Sequence, residues 1–180
     1  MKFLSPDEVA PTVFDIDYER LWKKGIRGLI FDLDNTLCPW RVPSLGKEVG
    51  GLLKHLLKRG FRVCVLSNGR LRHRNEVIGE LKRDGVLVVA QAMKPLPLGF
   101  RRALKSLGLG VDRVVVIGDQ LFTDILGGNL IGCYTILVEP LSIHEHPWTR
   151  WVMRYLEHLF GRRFTLAEGP SRRGDYHRGC

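Results

Sequence analysis

Short runs of β-branched and other apolar residues alternate along this chain with segments of helical periodicity, and this alternation strongly constrains the fold. The predicted strands span 25–33, 61–66, 86–89, 113–117 and 134–138, and the predicted helices span 45–59, 71–83, 98–107 and 121–130. Strands that are apolar on both faces and separated by helices are typical of a parallel sheet with right-handed βαβ crossovers. We therefore predict an α/β fold: a Rossmann-like three-layer sandwich with a five-stranded, mostly parallel sheet.

The two ends of the chain carry different signals. Ser5, Pro6 and Glu8 have the spacing of a helix N-cap, a first-turn proline and a capping-box glutamate, so we predict a helix start at Ser5. Few apolar residues follow position 164, which predicts a disordered tail over 165–180. Residues 1–164 are then expected to form a single domain, a size at which a chain buries a full hydrophobic core.

The charge balance favours an anionic partner. The chain has 180 residues with 28 Lys and Arg against 19 Asp and Glu, a net charge of +9. Nucleic acid, an acidic membrane surface and a phosphorylated substrate all fit this charge, and so does simple solubility. The charge alone does not choose among them.

The sequence shows no recognisable targeting signal, and together with the cysteine pattern this predicts a cytoplasmic protein. No apolar run approaches the roughly 20 residues that cross a bilayer, and the N-terminus turns acidic at Asp7 before a signal-type apolar region forms. No CxxC pair occurs among Cys38, Cys64, Cys133 and Cys180, which argues against a structural zinc site. We expect Cys64 and Cys133 to be buried as small hydrophobic residues in a reducing compartment.

Polar residues gather where four predicted strands end. These positions are DLDNT at 32–36, LSNG at 66–69, Lys94 followed by proline, and GDQLFTD at 118–124. Because ligands of open parallel sheets bind beyond the carboxyl ends of the strands, the four segments are expected to meet at one edge. Each segment alone is equally consistent with a turn, a surface charge or a helix cap. Together they crowd several carboxylates, which a divalent cation would neutralise.

The order DxDxT, Ser, Lys-Pro, GDxxxxD resembles the haloacid dehalogenase (HAD) superfamily of phosphohydrolases. The segments FDLDNTL at 31–37 and GDQLFTDILGGN at 118–129 are more closely similar to its YqeG branch in subfamily IIIA. That branch includes phosphatidylglycerophosphate phosphatases. The resemblance covers roughly residues 1–140 and implies a HAD-like fold.

The resemblance implies four catalytic residues. Asp32 would be the nucleophile that forms an aspartyl-phosphate. Asp34 would protonate the leaving alkoxide and then activate water. Ser67 would donate a hydrogen bond to a phosphoryl oxygen, and Lys94 would offset negative charge on the phosphoryl group and the nucleophile.

The resemblance also implies a Mg²⁺ site and three accessory residues. The metal would be held by the carboxylate of Asp32, the backbone carbonyl of Asp34 and the carboxylate of Asp119, with Asp124 as a more distant or water-mediated ligand. The other candidates for substrate binding are three polar residues, Thr36, Asn68 and Gln120. Thr36 is expected to brace its loop, whereas Asn68 and Gln120 either contact substrate or serve the local backbone.

The spacing of the motifs leaves no room for a cap domain. One helix and one strand fit between positions 32 and 67, and the same is true between 67 and 94. An open site suits a large substrate, and the resemblance favours phosphatidylglycerophosphate as substrate of a Mg²⁺-dependent phosphomonoesterase. The alternatives are a phosphatase of a nucleotide, a nucleic-acid end or a sugar phosphate, and a non-catalytic module that associates with RNA or ribosomes.

The segment 147–164, PWTRWVMRYLEHLFGRRF, predicts an amphipathic C-terminal helix. Its large apolar residues follow a 3,1,3,1 spacing and form one stripe, with arginines outside it. Aromatic residues beside arginine suit the headgroup zone of an anionic membrane, which would place the protein peripherally at the inner face of the membrane. The alternatives are packing on the sheet or on a second subunit of a homodimer. His144 and His146 precede this segment and are expected to lie in a polar loop.

Overall fold

The computed structural model describes residues 2–39, 44–69 and 75–141. The predicted helix at 147–164 and the predicted tail at 165–180 lie outside the described residues, as do His144, His146 and Cys180. In the described part of the chain, no helix is long and apolar enough to span a bilayer.

Six parallel strands form one sheet, and β2 and β5 occupy its centre. The strands are β1 (Glu8–Ala10), β2 (Gly28–Asp32), β3 (Arg62–Leu66), β4 (Leu87–Val89), β5 (Val114–Gly118) and β6 (Tyr134–Val138). Their spatial order is β1–β6–β5–β2–β3–β4, and each neighbouring pair is parallel. This arrangement confirms the predicted Rossmann-like α/β fold, with β2 flanked by a strand on each side.

The prediction of five strands is wrong because the N-terminal segment adds a sixth. β1 pairs with β6, and the helix predicted to start at Ser5 is replaced by a short 3₁₀ turn (Lys2–Leu4) followed by the strand. The Asp7 backbone N–H donates to the Thr135 carbonyl (3.0 Å), and the Asp7 carboxylate accepts from the Thr135 N–H (2.9 Å). These bonds to the sheet edge outweigh the local capping signal, which acts only within one turn of helix.

Five α-helices connect the strands within the described residues. They are α1 (Tyr18–Lys23), α2 (Lys47–Lys58), α3 (Asn75–Arg83), α4 (Pro97–Leu107) and α5 (Leu126–Ile131). The short α1 was not predicted, and its N-cap Asp17 accepts a hydrogen bond from the Arg20 N–H (2.9 Å). The other predicted elements lie within a few residues of their predicted bounds.

The helix predicted at 121–130 begins instead as a π-helical turn (Leu121–Ile125), which α5 continues. The N–H groups of Asp124 and Ile125 both reach the Gln120 carbonyl, at 2.9 and 3.3 Å. The wider turn places the Asp124 side chain in the interior, where it is 2% exposed. Single π-helical turns are frequent at functional sites.

The hydrophobic core lies on both faces of the sheet, and alternate residues of each strand serve opposite layers. In β2, Leu29 and Phe31 belong to one apolar cluster, whereas Ile30 belongs to the other. The first cluster includes residues of α2 and α3, and the second includes Phe100 of α4. Cys64 and Cys133 are buried, as predicted, at 0% and 5% exposure.

The described residues between the motifs contain only core elements. α2 and β3 lie between positions 32 and 67, and α3 and β4 lie between positions 67 and 94. No inserted domain occurs in the described part of either interval. Among the residues that the structure describes, the carboxyl edge of the sheet therefore carries only its own loops.

Candidate active site

Asp32 is the last residue of the central strand β2, and the strand register determines its neighbours. Phe31 is in register with Ile117 of β5, and Asp32 is in register with Leu66 of β3. The chain segments that begin at Ser67 and at Gly118 therefore leave the sheet beside Asp32. Because β2 is buried along its whole length, the Asp32 side chain is only 6% exposed.

A buried ammonium group joins two of the predicted carboxylates. Lys94 Nζ donates to Asp32 Oδ1 and to Asp124 Oδ1, the latter at 2.7 Å, and Lys94 is 8% exposed. Burial lowers the pKa of Lys94, but the charges of Asp124 and Asp32 and the hydrogen bonds to them raise it by more, so its pKa is elevated overall. Lys94 therefore remains an ammonium group throughout the neutral pH range.

Three carboxylates converge beside this ammonium group. Asp32, Asp119 and Asp124 each offer an oxygen, and these oxygens lie within 4.8 Å of one another. Burial, and then the charges of neighbouring aspartates, raise the pKa of Asp32 even though Lys94 opposes the shift. Burial and the charge of Asp124 raise the pKa of Asp119 to about 7. When all three are ionised, one ammonium leaves a buried excess of negative charge.

The arrangement of these oxygens fits a divalent cation. An all-oxygen set of carboxylates is the donor chemistry that Mg²⁺ and similar hard cations take, and a cation would remove the repulsion that raises these pKa values. Asp124 reaches the cluster because its second oxygen accepts from the Gln120 N–H (3.2 Å). It also reaches the cluster because residue 118 is glycine, since a Cβ there would overlap the Asp124 carboxylate.

Asp34 lies in a tight loop beyond β2, beside Ser67. Asn35 adopts a left-handed backbone with φ of 62°, and its N–H donates to the Cys38 carbonyl (2.8 Å). The Ser67 hydroxyl is fully buried and lies 3.4 Å from Asp34 Oδ2, within hydrogen-bond distance. The Gly69 N–H donates to the same hydroxyl (3.1 Å). The predicted acid–base residue and the predicted phosphoryl-binding residue are therefore direct neighbours.

Thr36 and Gln120 make local contacts with the acidic cluster. The Thr36 hydroxyl is buried and donates to Asp119 Oδ1 (3.3 Å), so Thr36 orients a carboxylate from across the site. The Gln120 side-chain carbonyl accepts from the Thr123 hydroxyl (3.2 Å). The Thr36 hydroxyl thus bonds a residue of another segment, whereas the Gln120 side chain bonds within its own turn. Substrate contact by either side chain stays a prediction.

Asn68 holds the backbone of Lys94 by two hydrogen bonds. The Lys94 N–H donates to Asn68 Oδ1 (2.6 Å), and Asn68 Nδ2 donates to the Lys94 carbonyl (3.1 Å). The loop that carries Lys94 contains two left-handed non-glycine residues, Gln91 and Met93, with φ of 50° and 55°. Such residues cost of order 1 kcal/mol or more each and persist where neighbours hold them. Asn68 supplies that support, while contact with substrate stays a prediction.

Sequence reasoning missed two contributors to the site. Gly118 gives Asp124 its space, and the glycine directly before Asp119 is the signal that could have indicated it. The π-helical turn that directs Asp124 inward has no comparable signal, because its sequence also fits an ordinary helix.

The fold and the site together are those of a phosphate-ester hydrolase of the HAD type. Comparisons with known proteins agree with this assignment. A family model described as HAD-hydrolase-like matches residues 91–140. The chain is 37% identical over 150 residues to the probable phosphatase YqeG of Bacillus subtilis, covering 83% of this chain and 86% of that protein. The chain belongs to the HAD superfamily, in the family of YqeG-like phosphatases, and is a HAD-family phosphatase.

A second relative and a solved structure extend the comparison. Phosphatidylglycerophosphate phosphatase 1 (chloroplastic/mitochondrial) of Arabidopsis thaliana is 30% identical over 163 residues, which are 87% of this chain and 47% of that enzyme. The chain thus spans about half the length of this plant relative. The cobalt-bound deoxy-D-mannose-octulosonate 8-phosphate phosphatase of Haemophilus influenzae superimposes with a TM-score of 0.51 at 18% identity, covering 64% of this chain and 69% of that one. This likeness supports the fold alone.

The raised pKa of Asp119 predicts that metal binding weakens in acid. A metal requires the ionised carboxylate, so below pH 7 it must displace a proton, and affinity falls as the pH falls. We expect the Kd for Mg²⁺, measured by titration calorimetry, to be at least about tenfold higher at pH 6 than at pH 8. Proton release, measured in buffers of different ionisation enthalpy, should accompany binding at pH 6. Equal affinities at the two pH values would contradict this.

The two hydrogen bonds from Asn68 predict that it acts on kcat rather than on substrate binding. In Asn68→Ala, the Lys94 loop loses both bonds, and we expect kcat to fall by about 10- to 100-fold with KM changed less than threefold. Thr123→Ala, which removes one exposed side-chain hydrogen bond in the turn after β5, is the control. Steady-state kinetics on an aryl phosphate provide the measurement. A rise in KM at constant kcat would show instead that Asn68 contacts substrate.

Proposed function

We propose that this protein is a Mg²⁺-dependent phosphomonoester hydrolase that works through an aspartyl-phosphate on Asp32. The observation that carries the proposal is the position of Asp32. It lies at the end of the central strand, bonded to the Lys94 ammonium and within 4.8 Å of the Asp119 and Asp124 oxygens. Asp32 is thus a buried carboxylate beside one ammonium group and two further carboxylates that could hold a metal. A carboxylate in this position can attack phosphorus while the cations offset the negative charge of the phosphate.

In the first step, an oxygen of Asp32 attacks phosphorus and the bond from phosphorus to the alkoxide oxygen breaks. Asp34 donates a proton to that oxygen, so the alcohol leaves neutral. Lys94 keeps its positive charge beside the attacking carboxylate and stabilises the charge that develops on the phosphoryl oxygens. The Ser67 hydroxyl, next to Asp34, is placed to donate a hydrogen bond to one of these oxygens.

In the second step, Asp34 takes a proton from a water molecule whose oxygen attacks phosphorus. The bond between phosphorus and the Asp32 oxygen breaks, which releases inorganic phosphate and restores the Asp32 carboxylate. Asp34 thus regains the one proton that it gave in the first step. Asp34 can perform both proton transfers because the leaving group departs, and the water later attacks, on the side of phosphorus opposite Asp32.

The metal would be held by the carboxylates of Asp32 and Asp119, with Asp124 close by and the Asp34 backbone carbonyl as a further oxygen ligand. When bound, Mg²⁺ supplies positive charge that offsets the repulsion between the nucleophile and the phosphate dianion. Thr36 keeps one Asp119 oxygen oriented through its hydroxyl.

The substrate we propose is phosphatidylglycerophosphate, with phosphatidylglycerol as the product. The name of the Arabidopsis relative, which covers 87% of this chain, supports this substrate. The loops at the carboxyl edge support it too, because the described residues between the motifs form no cap that would exclude a lipid.

The test is Mg²⁺-dependent release of phosphate from phosphatidylglycerophosphate in mixed micelles. We expect Asp32→Asn to lower kcat by at least about 10³-fold because the amide is a poor nucleophile. Asp112→Asn, the same change on an exposed turn before β5, is the matched control and should keep wild-type activity. EDTA should abolish turnover and Mg²⁺ should restore it.

Two outcomes would overturn parts of the proposal. Full activity of Asp32→Asn with an intact fold would refute the nucleophile. Turnover of an aryl phosphate without turnover of the lipid would keep the hydrolase and reject the lipid substrate.

A further inference from the structure

We propose that the loops around the active site form a docking surface for an anionic lipid bilayer. This surface, the apolar rim, consists of Met93, Leu96, Leu98, Phe122 and Leu141. The inference rests on the proposed function and adds to it the face that meets the lipid and the residues that hold it there.

Exposed apolar side chains are concentrated at the active site. Ten large apolar residues are exposed in the described part of the chain, and five of them form the apolar rim. Met93, Leu96 and Leu98 are 51%, 56% and 55% exposed within six residues of chain. Single exposed leucines are ordinary, but a cluster beside a functional site marks an interaction surface.

Chain connectivity and hydrogen bonds hold the rim at the site. Met93 directly precedes Lys94, and the Leu96 N–H donates to the Met93 carbonyl (2.9 Å), so both flank the buried ammonium. Phe122 lies in the π-helical turn, between Asp119 and Asp124 in the sequence. The Leu141 N–H donates to the carbonyl of Asn35, the residue after Asp34 (2.8 Å). Met93, Leu96 and Phe122 therefore lie in two segments that carry site residues, Leu98 follows in the first turn of α4, and Leu141 is bonded to the loop after β2.

Positive charge beside the apolar rim favours a binding partner with an anionic surface. Arg101, Arg102 and Lys105 are exposed on α4, and Arg101 and Arg102 lie three and four residues after Leu98, on the same side of the helix. Within the described residues none of the three cations forms an ion pair. Apolar side chains with adjacent unpaired cations fit the acyl boundary and anionic headgroups of a bilayer.

The location of the rim favours lipid over a protein occupant. Anything that covers the apolar rim also covers the approach to Asp32, because four of its residues lie in, or are bonded to, the segments that carry Lys94, Asp124 and Asp34. A stably bound protein, or a second copy of this chain, would close the site against substrate. A bilayer that itself contains the phosphomonoester brings the substrate as it docks.

The experiment compares matched variants of the full chain at opposite edges of the sheet. Leu96→Gln/Leu98→Gln removes two rim side chains, and Leu130→Gln is the control, since Leu130 is 46% exposed near the end of α5 that leads into β6. Arg101→Gln/Arg102→Gln removes two cations beside the rim. Its control, Lys58→Gln/Arg113→Gln, removes two exposed cations at the amino edge. None of these residues contacts the reacting groups.

Three measurements are made on each variant. They are cosedimentation with vesicles of phosphatidylglycerol and phosphatidylcholine, phosphate release from phosphatidylglycerophosphate in the same vesicles, and hydrolysis of p-nitrophenyl phosphate. For the leucine pair we expect vesicle affinity and lipid turnover to fall about tenfold or more, with aryl phosphate turnover within twofold of wild type. The arginine pair should lose binding to phosphatidylglycerol vesicles selectively, by roughly tenfold at 0.1 M salt.

The outcomes separate this inference from the proposed function. Wild-type turnover of the aryl phosphate without turnover of the lipid rejects the lipid substrate, while vesicle binding still reports on the rim. If the leucine pair binds vesicles as well as Leu130→Gln does, the docking surface is refuted. If the leucine pair instead converts a dimer to a monomer in size-exclusion chromatography, the rim is an interface between two copies and the lipid assignment is overturned.

Discussion

The bridge from the Lys94 ammonium to Asp32 and Asp124 is the interaction on which the rest of the site depends. Removing one partner of such a buried cluster is costly, because it leaves a charge without compensation. One ammonium does not balance three neighbouring carboxylates, and burial first, then the charges of the neighbouring aspartates, raise the pKa values of Asp32 and Asp119. The same imbalance suits the cluster to a divalent cation.

The sheet topology makes this bridge available. β2 lies between β5 and β3, so the segment after β5, with its aspartates, begins on one side of Asp32, and the segment after β3, with Ser67 and Asn68, begins on the other. Lys94 arrives from beyond the edge strand β4, through a loop that Asn68 holds by its backbone. The candidate site residues therefore come from the segments after four different strands, and no single segment could assemble the site.

Sequence reasoning predicted the elements whose signals are local and strong. Apolar strands and the polar residues at their ends identified the edge, and burial of Asp32, Ser67, Lys94 and Asp124 agrees with that prediction. It failed at β1, because pairing of Asp7 with Thr135 is a contact between residues 128 positions apart. Whether the side chain of Asn68 faced substrate or backbone was equally undetermined, since its partner Lys94 lies 26 residues away. Such contacts arise from tertiary structure and leave no periodicity in the sequence.

The most direct test of the account is to trap the phosphorylated residue. A single turnover is stopped by rapid quenching and treated with borohydride, which reduces an aspartyl-phosphate to homoserine, and peptide mass spectrometry then locates the change. The account predicts homoserine at position 32 in the wild-type protein. Homoserine at position 34, or phosphate release with no modified aspartate at any time point, would contradict the central role of Asp32.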